Sequence, residues 1–508
     1  MKQIIKYSFL LTFVLFASSC DKGFDDLNTN KVNPTLIDPL YLLNNAVVNA
    51  SFPGNSSLAY DMGVVQQIIS PNNGVLNGAN FNSDNRGSTQ ALWQNYYRNV
   101  IRNTNDVIVN TKSDPNRANL YQMARIFQAY AYMVLTDEYG DIPYTEGGKG
   151  YSDLNFFPVY DAQQQIYTDI IKELGEAATA LGGTGKIETG DILYGGVVAQ
   201  WKKFAYSLML RAGMRLSKAD AAKAQSTVQA AFQGGVILAN ADNAFIRHSD
   251  NYTNPIGGTL NSTEAANFYL TKPFVDSLKN RNDPRLQAIA VRYVGATSGG
   301  GQTPAVRSTD PSKQFGLPMG FDNNTANAYA TSPSVGRASF YDFSQADRTR
   351  IAKQPAPCFL VTASQTQLLL AEARQRGWIT TGTTQGYYDA GVTLHMQQMA
   401  SYDAGCAIAA GDITTYLTNN PFDPARALEQ IGTQYWIASF LNGPEAFANY
   451  RRTGFPALAP NPYPGKEVAF IFRLTYPNSE QSVNPTNFNA AISRQGPDKL
   501  DTKVWWNK

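Results

Sequence analysis

The chain has 508 residues with 42 basic and 40 acidic side chains, a formal charge of +2, and 43% hydrophobic residues. Such a length can bury a sizeable core. The near-neutral balance without a long basic run argues against a nucleic-acid binder and gives no ground for anionic lipid or acidic substrates as partners.

The N-terminus reads MKQIIKYSFLLTFVLFASSC. Lys2 and Lys6 precede an apolar block from Tyr7 to Ala17, and the small Ser18 and Ser19 follow. This is the pattern of a secretory signal, too short to cross a bilayer, which takes roughly 20 apolar residues. Residues 1–19 are therefore expected to be removed on export. ASSC resembles a bacterial lipoprotein box, with Ala17 where leucine is commonest, so Cys20 is expected to carry lipid. Several acyl chains on one residue anchor stably at about 0.8 kcal/mol per buried methylene. Residues 20–38 then form a lipid-anchored polar tether and 39–508 the body. No later segment reads as transmembrane, so the membrane is met through the anchor alone.

Helical periodicity dominates the body. Leu120, Met123, Phe127, Tyr130 and Val134 mark one helical face, ended by Gly140 and Pro143. The next helix carries Ile166, Ile170, Leu174 and Leu181, and its neighbour Trp201, Ala205, Leu208, Ala212 and Leu216. Residues 233–350 change character: NYTNPIGG and GATSGGGQT predict loops, a few short strands and a helix near Phe268–Lys279. Helices resume at LVTASQTQLLLAEARQRGW, and the following one sets Tyr388, Val392, His395, Met399 and Tyr402 on one stripe. ALEQIGTQYWIASFLNG, with Leu428, Ile431, Tyr435, Trp436 and Phe440, is apolar nearly all round and is expected to be deeply buried. From Asn461 the tail reads as mostly irregular. Paired helices with Ala124, Ala131, Ala371 and Ala373 at their crossings predict a mainly α fold of TPR-like units, although no clean repeat of about 34 residues is present.

Motifs for chemistry are sparse. Of the two histidines, His395 lies on an apolar stripe and reads as a core residue, while His248 sits in a loop without a cysteine or histidine companion. There is no zinc signature and no GxSxG elbow. GGTGKIETG fails as a phosphate loop because Ala180 replaces the first glycine and Ile187 the Ser or Thr. After Cys20, only Cys358 and Cys406 remain; a disulfide framework is excluded and both are expected as buried free thiols. Asp137, Glu138 and Asp141 beside Tyr139 and Tyr144 read as a capped helix end, or else as a glycosidase pair, which needs acids about 5–10 Å apart. Aromatics make up 12% of the chain, with 28 tyrosines. Such rings fill a large core, or serve as platforms for a ligand with flat apolar faces and hydroxyl edges, such as sugar.

Several motifs together resemble the SusD-like (SusD/RagB) outer-membrane lipoproteins of the Bacteroidota. They are WKKFAYSLMLRAGMRLS (Trp201–Ser217), LTDEYGDIPY, NDPRL (Asn282–Leu286), LLLAEARQRGW (Leu368–Trp378) and YYDAGV (Tyr387–Val392). QIGTQYWIASFLNGPEAFANYRRTGFPAL (Gln430–Leu458), TYPNSEQSVN (Thr475–Asn484) and the tail DTKVWWNK complete the set, in the family's order. Tyr206 departs from a common asparagine and Asn507 from a usual aspartate. The resemblance implies a single large, mainly α domain of TPR-like helix pairs with a loop-rich ligand-binding face. It also implies a lipid-anchored protein on the outer membrane, acting as the lid of a TonB-dependent transporter of the SusC type. Such a lid captures an oligosaccharide, polysaccharide or other nutrient, and needs no catalytic residue, metal or cofactor. Asp21, Asp25 and Asp26 resemble the acidic signals that send lipoproteins of this phylum outward.

The motifs read mainly as scaffold, with Arg451 and Arg452 stapling helix ends and loops. Ligand contacts are expected instead in NGANFNSDNRGSTQALWQNYY, at Asn80, Phe81, Asn82, Arg86 and Trp93, and at the loop rings Tyr252 and Tyr293. Trp93 is either a stacking platform or a buried helical residue. Capture of a peptide by the same architecture, or a surface glycosidase or protease, are the competing readings.

Overall fold

The computed structural model describes residues 37–508. The expected signal peptide, Cys20 and all but the end of the tether lie outside the described residues.

The chain enters on helix α1 (Pro39–Asn49), started by Pro39 and by Asp38, whose carboxylate accepts from Leu40 N. Helix α2 (Arg86–Asn95) passes through a π-helical turn (Tyr96–Ile101) into α3 (Arg102–Thr111), which packs on α1. The long helix α4 (Ala118–Tyr139) pairs with α5 (Gln163–Ala180), and α6 (Val198–Arg215) with α7 (Ala221–Gly234). Between α7 and the next pair lie α8 (Lys272–Lys279) and α9 (Asn323–Thr331). The last large pair is α10 (Ala363–Gln375) with α11 (Thr384–Gln398). Helix α12 (Ala427–Ala438) packs on α10, and α13 (Gly443–Thr453) on α12. These successive pairs also touch through α3–α4, α5–α6 and α6–α10, giving the TPR-like stack. The alanines predicted at crossings, Ala124, Ala131, Ala371 and Ala373, are all completely buried.

The stretch between α7 and α10 carries little regular structure, as its composition predicts. Among the described residues the strands are short: β1 (Ile68–Ile69), β2 (Ala244–Ile246), β3 (Tyr269–Leu270), β4 (Ala290–Tyr293), β5 (Arg307–Ser308), β6 (Gln345–Ala346) and β7 (Cys358–Val361). They pair antiparallel as β1–β3, β2–β7 and β5–β4–β6. Around Tyr269, Leu317, Met319, Phe340 and Phe343 this lobe builds a small core separate from the main one.

The tail after Asn461 is mostly irregular, as expected, and also carries α14 (Asn478–Val483) and α15 (Pro485–Gln495). Asparagine and proline there suggest loop, but proline is well suited to a first helical turn, and Phe488 and Ala491 form a buried face. In α12, Ile431, Tyr435 and Trp436 are buried, whereas Leu428 in the first turn remains exposed.

The family-like motifs are staples. Trp201 Nε1 donates to Asp191 Oδ2 at 2.7 Å. From α6, Arg211 and Arg215 reach Glu445 of α13 at 3.2 and 2.6 Å, and Arg215 reaches Asp137 of α4 at 3.2 Å. Burial acts to raise the Glu445 carboxyl, but Arg211 and Arg215 outweigh it and hold it below the ordinary range. Arg452 meets Glu372 of α10 at 2.6 Å, while Arg451 Nη1 donates to the Asp137 and Phe472 carbonyls. The acid cluster is part of the same frame: Asp137 accepts from Tyr167 Oη and from Trp506 Nε1, and Asp141 from Arg494 and Gln163 N. Trp506, in the last residues, is fully buried. Gly140 takes φ +82°, and a Cβ there would overlap Gln495 Oε1, which accepts from Asp141 N as α15 docks on the end of α4. Cys358 and Cys406 are buried free thiols, each pushed up to about 11 by burial.

Candidate functional site

Where α1 ends, the chain turns through Ser51–Pro53 and approaches a short helix, Pro255–Leu260, from the loop-rich stretch. Two side chains from the α2–π junction hold this turn open. Asn95 Nδ2 donates to Asn49 O at 2.7 Å, and Tyr96 Oη to Ala50 O at 2.8 Å. Opposite, Asn254 caps Pro255–Leu260 by accepting from Ile256 N at 2.9 Å. The two walls come so close that a Cβ on Gly54 would overlap Thr259 Oγ1. Between them opens a groove of 410 Å³, lined by Val48, Asn49, Asn55, Asn95, Tyr252 and Thr259.

Tyr252 is the ring this groove presents. It is 42% exposed, and its other face stacks on His248 with centroids 5.6 Å apart and planes 9° from parallel. His248 is fixed in turn. Its Nδ1 lies 3.0 Å from the Tyr252 carbonyl, which can only accept, so Nδ1 carries the proton; Nε2 then accepts from Ser51 Oγ at 2.8 Å. Burial holds the His248 pKa below its usual value, partly offset by the bond to the Tyr252 carbonyl, so the ring is neutral near pH 7. A second depression of 520 Å³ lies on the other side of the α1 terminus. Val47 and Gln200 line it, and Phe245, whose ring is covered by Arg247 at 4.4 Å. Rings flanked by amides suit a ligand with apolar faces and hydrogen-bonding edges.

The other predicted contact residues go elsewhere. Trp93 is 5% exposed and is the centre of an aromatic cluster with Tyr97, Tyr139, Tyr160 and Tyr476, at 4.8 to 6.0 Å. It is thus the buried helical residue, with no ring face open as a platform. Arg86 is committed to Asp84 at 3.0 Å, Asp498 at 2.6 Å and the Tyr476 carbonyl. Asn80 folds its own turn, accepting from Gly78 N and donating to Ser70 O. Phe81 is buried against Tyr463 at 4.3 Å, and Asn82, at φ +47°, donates to the Val468 and Ala469 carbonyls. Tyr293 lies in β4, 3% exposed under Arg348. Asn49, Ser51, Asn55 and Asn95 are groove residues absent from the predicted set. One sequence signal touches them, the loop histidine of IRHSDN, because its neighbour Tyr252 was singled out and its partner Ser51 was not.

A stack of paired helices bearing an open groove of amides and one exposed ring defines a helical ligand-capture scaffold. The chain belongs to the SusD-like family: the family model described as starch-binding and associating with the outer membrane matches residues 30–477. Among solved structures, a chitin-binding protein is 31% identical with a TM-score of 0.81, covering 92% of this chain and 100% of its own. A chitin-binding SusD homologue from Flavobacterium johnsoniae is 23% identical with a TM-score of 0.71, covering 92% of this chain and 97% of its own. A SusD homologue from Bacteroides uniformis is 22% identical with a TM-score of 0.74, covering 92% and 99%. The last two show the fold alone. No curated protein matches the chain.

Proposed function

We propose that this protein captures a glycan at the outer surface of the cell and delivers it, as a lipid-anchored lid, to a TonB-dependent transporter of the SusC type. The observation that carries the reading is the exposed Tyr252 ring, backed by His248 and surrounded by Asn49, Asn55 and Asn95. The chitin-binding relative, similar along nearly the whole chain, makes a β-linked N-acetylglucosamine polymer the first glycan to test. Desolvating sugar hydroxyls costs nearly what their new hydrogen bonds return, so affinity is modest, as suits a device that must release its cargo. Of the acids once open to a glycosidase reading, Asp137 and Asp141 are tied into the scaffold by Trp506 and Arg494, which supports binding without turnover.

Partner docking has its own support. In the loop after α4, Tyr151 is 77% exposed and Phe156 64%, with Leu154, Phe157 and Val159 beside them in sequence and also exposed. Asn484 and Asn487 tie this loop to the α14–α15 region through the Pro158 and Phe157 carbonyls. Exposed apolar side chains gathered in this way mark surfaces that a partner covers.

The test is affinity electrophoresis of the chain without residues 1–20 in gels containing glycol chitin, starch and other polysaccharides. Retardation in one gel that Tyr252→Ala abolishes supports glycan capture at this groove. Retardation untouched by Tyr252→Ala moves the site, and none in any gel favours peptide or another nutrient.

A further inference from the structure

A separate hollow of 240 Å³ opens where four elements converge: the chain just after α8, helix α11, the helix Ala410–Asn419 and the start of α12. It shares no lining residue with the Tyr252 groove. Its wall is polar, with Arg281, Tyr388, Tyr416, Asn420, Asp423 and Thr433 on it.

Three hydroxyls of this wall belong to buried residues yet lack an acceptor. Tyr388 and Tyr416 are 3% exposed and Thr433 is 5% exposed. Tyr416 Oη accepts from Gln434 Nε2 at 2.9 Å, but its own proton finds no acceptor among the described residues. Tyr388 Oη and Thr433 Oγ1 have no protein partner there at all, and neither oxygen is sealed inside; the small surface that each keeps meets the hollow it lines. Buried hydroxyls left in this way are normally satisfied by water or a ligand. The two rings are covered elsewhere, Tyr388 by Phe422 at 5.1 Å and Tyr416 by Arg285 at 5.7 Å. The hollow therefore meets hydroxyl edges and no open ring face.

The charges of the wall are unevenly matched. Arg426 pairs with Glu429 at 2.5 Å, and beneath the wall Arg285 pairs with Asp283 at 2.5 Å. Arg281 has no carboxylate within 4.0 Å among the described residues. Its Nη1 donates to Ser277 O and Oγ, both at 2.9 Å, which leaves Nε and Nη2 to the hollow. Asp423 likewise has no cation within 4.0 Å among the described residues; Oδ1 accepts from Ala425 N at 2.9 Å and Oδ2 is left over. Asn420 donates through Nδ2 to the Arg281 and Tyr416 carbonyls and keeps Oδ1 as an acceptor. One cation and one acid thus share a wall without pairing with each other.

We propose that this hollow binds a free polar α-amino acid as its zwitterion, the carboxylate accepting from Arg281, the ammonium donating to Asp423 and Asn420, and the polar side chain meeting the hydroxyls of Tyr388, Tyr416 and Thr433. A cavity of about 150 Å³ already accepts benzene, so the space suffices for such a ligand. Charge-assisted bonds at both ends are the strong kind. A plain anion would meet Asp423 as a like charge and a plain amine would meet Arg281, so the wall selects against each. A neutral sugar finds no ring face to stack on here.

The experiment is saturation-transfer-difference NMR on the chain without residues 1–20, with L-serine and L-glutamine as probes. The controls lack one charge each: 3-hydroxypropanoate and ethanolamine for serine, 4-carbamoylbutanoate and 4-aminobutanamide for glutamine. A saturable signal is expected from at least one amino acid, with both of its controls at least about tenfold weaker, since each forfeits a hydrogen bond to a charged group. Arg281→Gln and Asp423→Asn should each weaken the amino acid by a similar factor, while circular dichroism remains that of the parent. No saturable signal from either amino acid, a control that binds as well as its amino acid, or binding that survives both substitutions each overturns the proposal. No polysaccharide enters this assay and no residue is shared with the Tyr252 groove, so failure here and failure of glycan capture are read separately.

Discussion

Glu445→Gln tests the buried ion pairs that join α6 to α13. The Glu445 carboxylate accepts from Arg215 at 2.6 Å and from Tyr435 Oη at 2.6 Å, and lies 3.2 Å from Arg211. Glutamine preserves shape but removes the charge, and its amide hydrogens face guanidinium hydrogens. Removing one partner of a buried ion pair costs about 3–5 kcal/mol, since the remaining charge stays buried without compensation. An unfolding entropy of about 2.1 cal/mol/K per residue comes to roughly 1 kcal/mol/K over a body of this size, so the melting temperature should fall by about 3–5 °C. Differential scanning calorimetry reads this directly. The same carboxylate sets an acid limit. Its folded pKa lies below the ordinary 4.5, so its contribution is complete above that value and is lost as pH falls through the folded value. Glu445→Gln should therefore melt with a flatter acid profile than the parent. A shift under about 1 °C, with an unchanged acid profile, would refute the assignment of Glu445 as counter-charge to both arginines.

Other expectations can be checked with the same material. Glu138 is buried with its pKa raised, so its stabilising contribution is complete in acid and is lost as pH rises from the ordinary carboxylate range; Glu138→Gln should flatten the alkaline side of the melting profile. Burial favours neutral His248, so its protonation as pH falls below 6.5 places a poorly solvated charge behind Tyr252 and should weaken glycan retention, and His248→Gln should remove that dependence. Gly140→Ala forces both a positive φ and an overlap with Gln495, and should cost more than about 1 kcal/mol, seen as a lowered urea midpoint. Phe156→Ser combined with Phe157→Ser should leave the melting temperature nearly unchanged, since both rings are exposed, while abolishing co-purification with the proposed SusC-type partner.

The scaffold was legible where one physical pattern governs a long stretch. The stripe from Leu120 to Val134 could only be a helix face. Trp93 shows the limit: a tryptophan that stacks ligand and one that fills a core have the same helical spacing, and the four tyrosines that enclose it come from distant segments. The Tyr252 groove has the same difficulty. Its walls are residues 48–55, 91–95 and 252–259, and no local pattern brings these together. The tail helices were hidden because Asn484 and Pro485 signal a turn and a helix start with the same two letters.

Trp506 gives the fold an order of assembly. Its indole donates to Asp137 across 369 residues of chain, and Asp137 is also where Arg215 arrives from α6. Closing so long a loop is entropically costly and is rewarded only when the contact forms. The helix pairs built earlier therefore remain an unsealed half-core until the final segment reaches them, and cutting the chain before Trp506 should leave them unlatched rather than merely shortened.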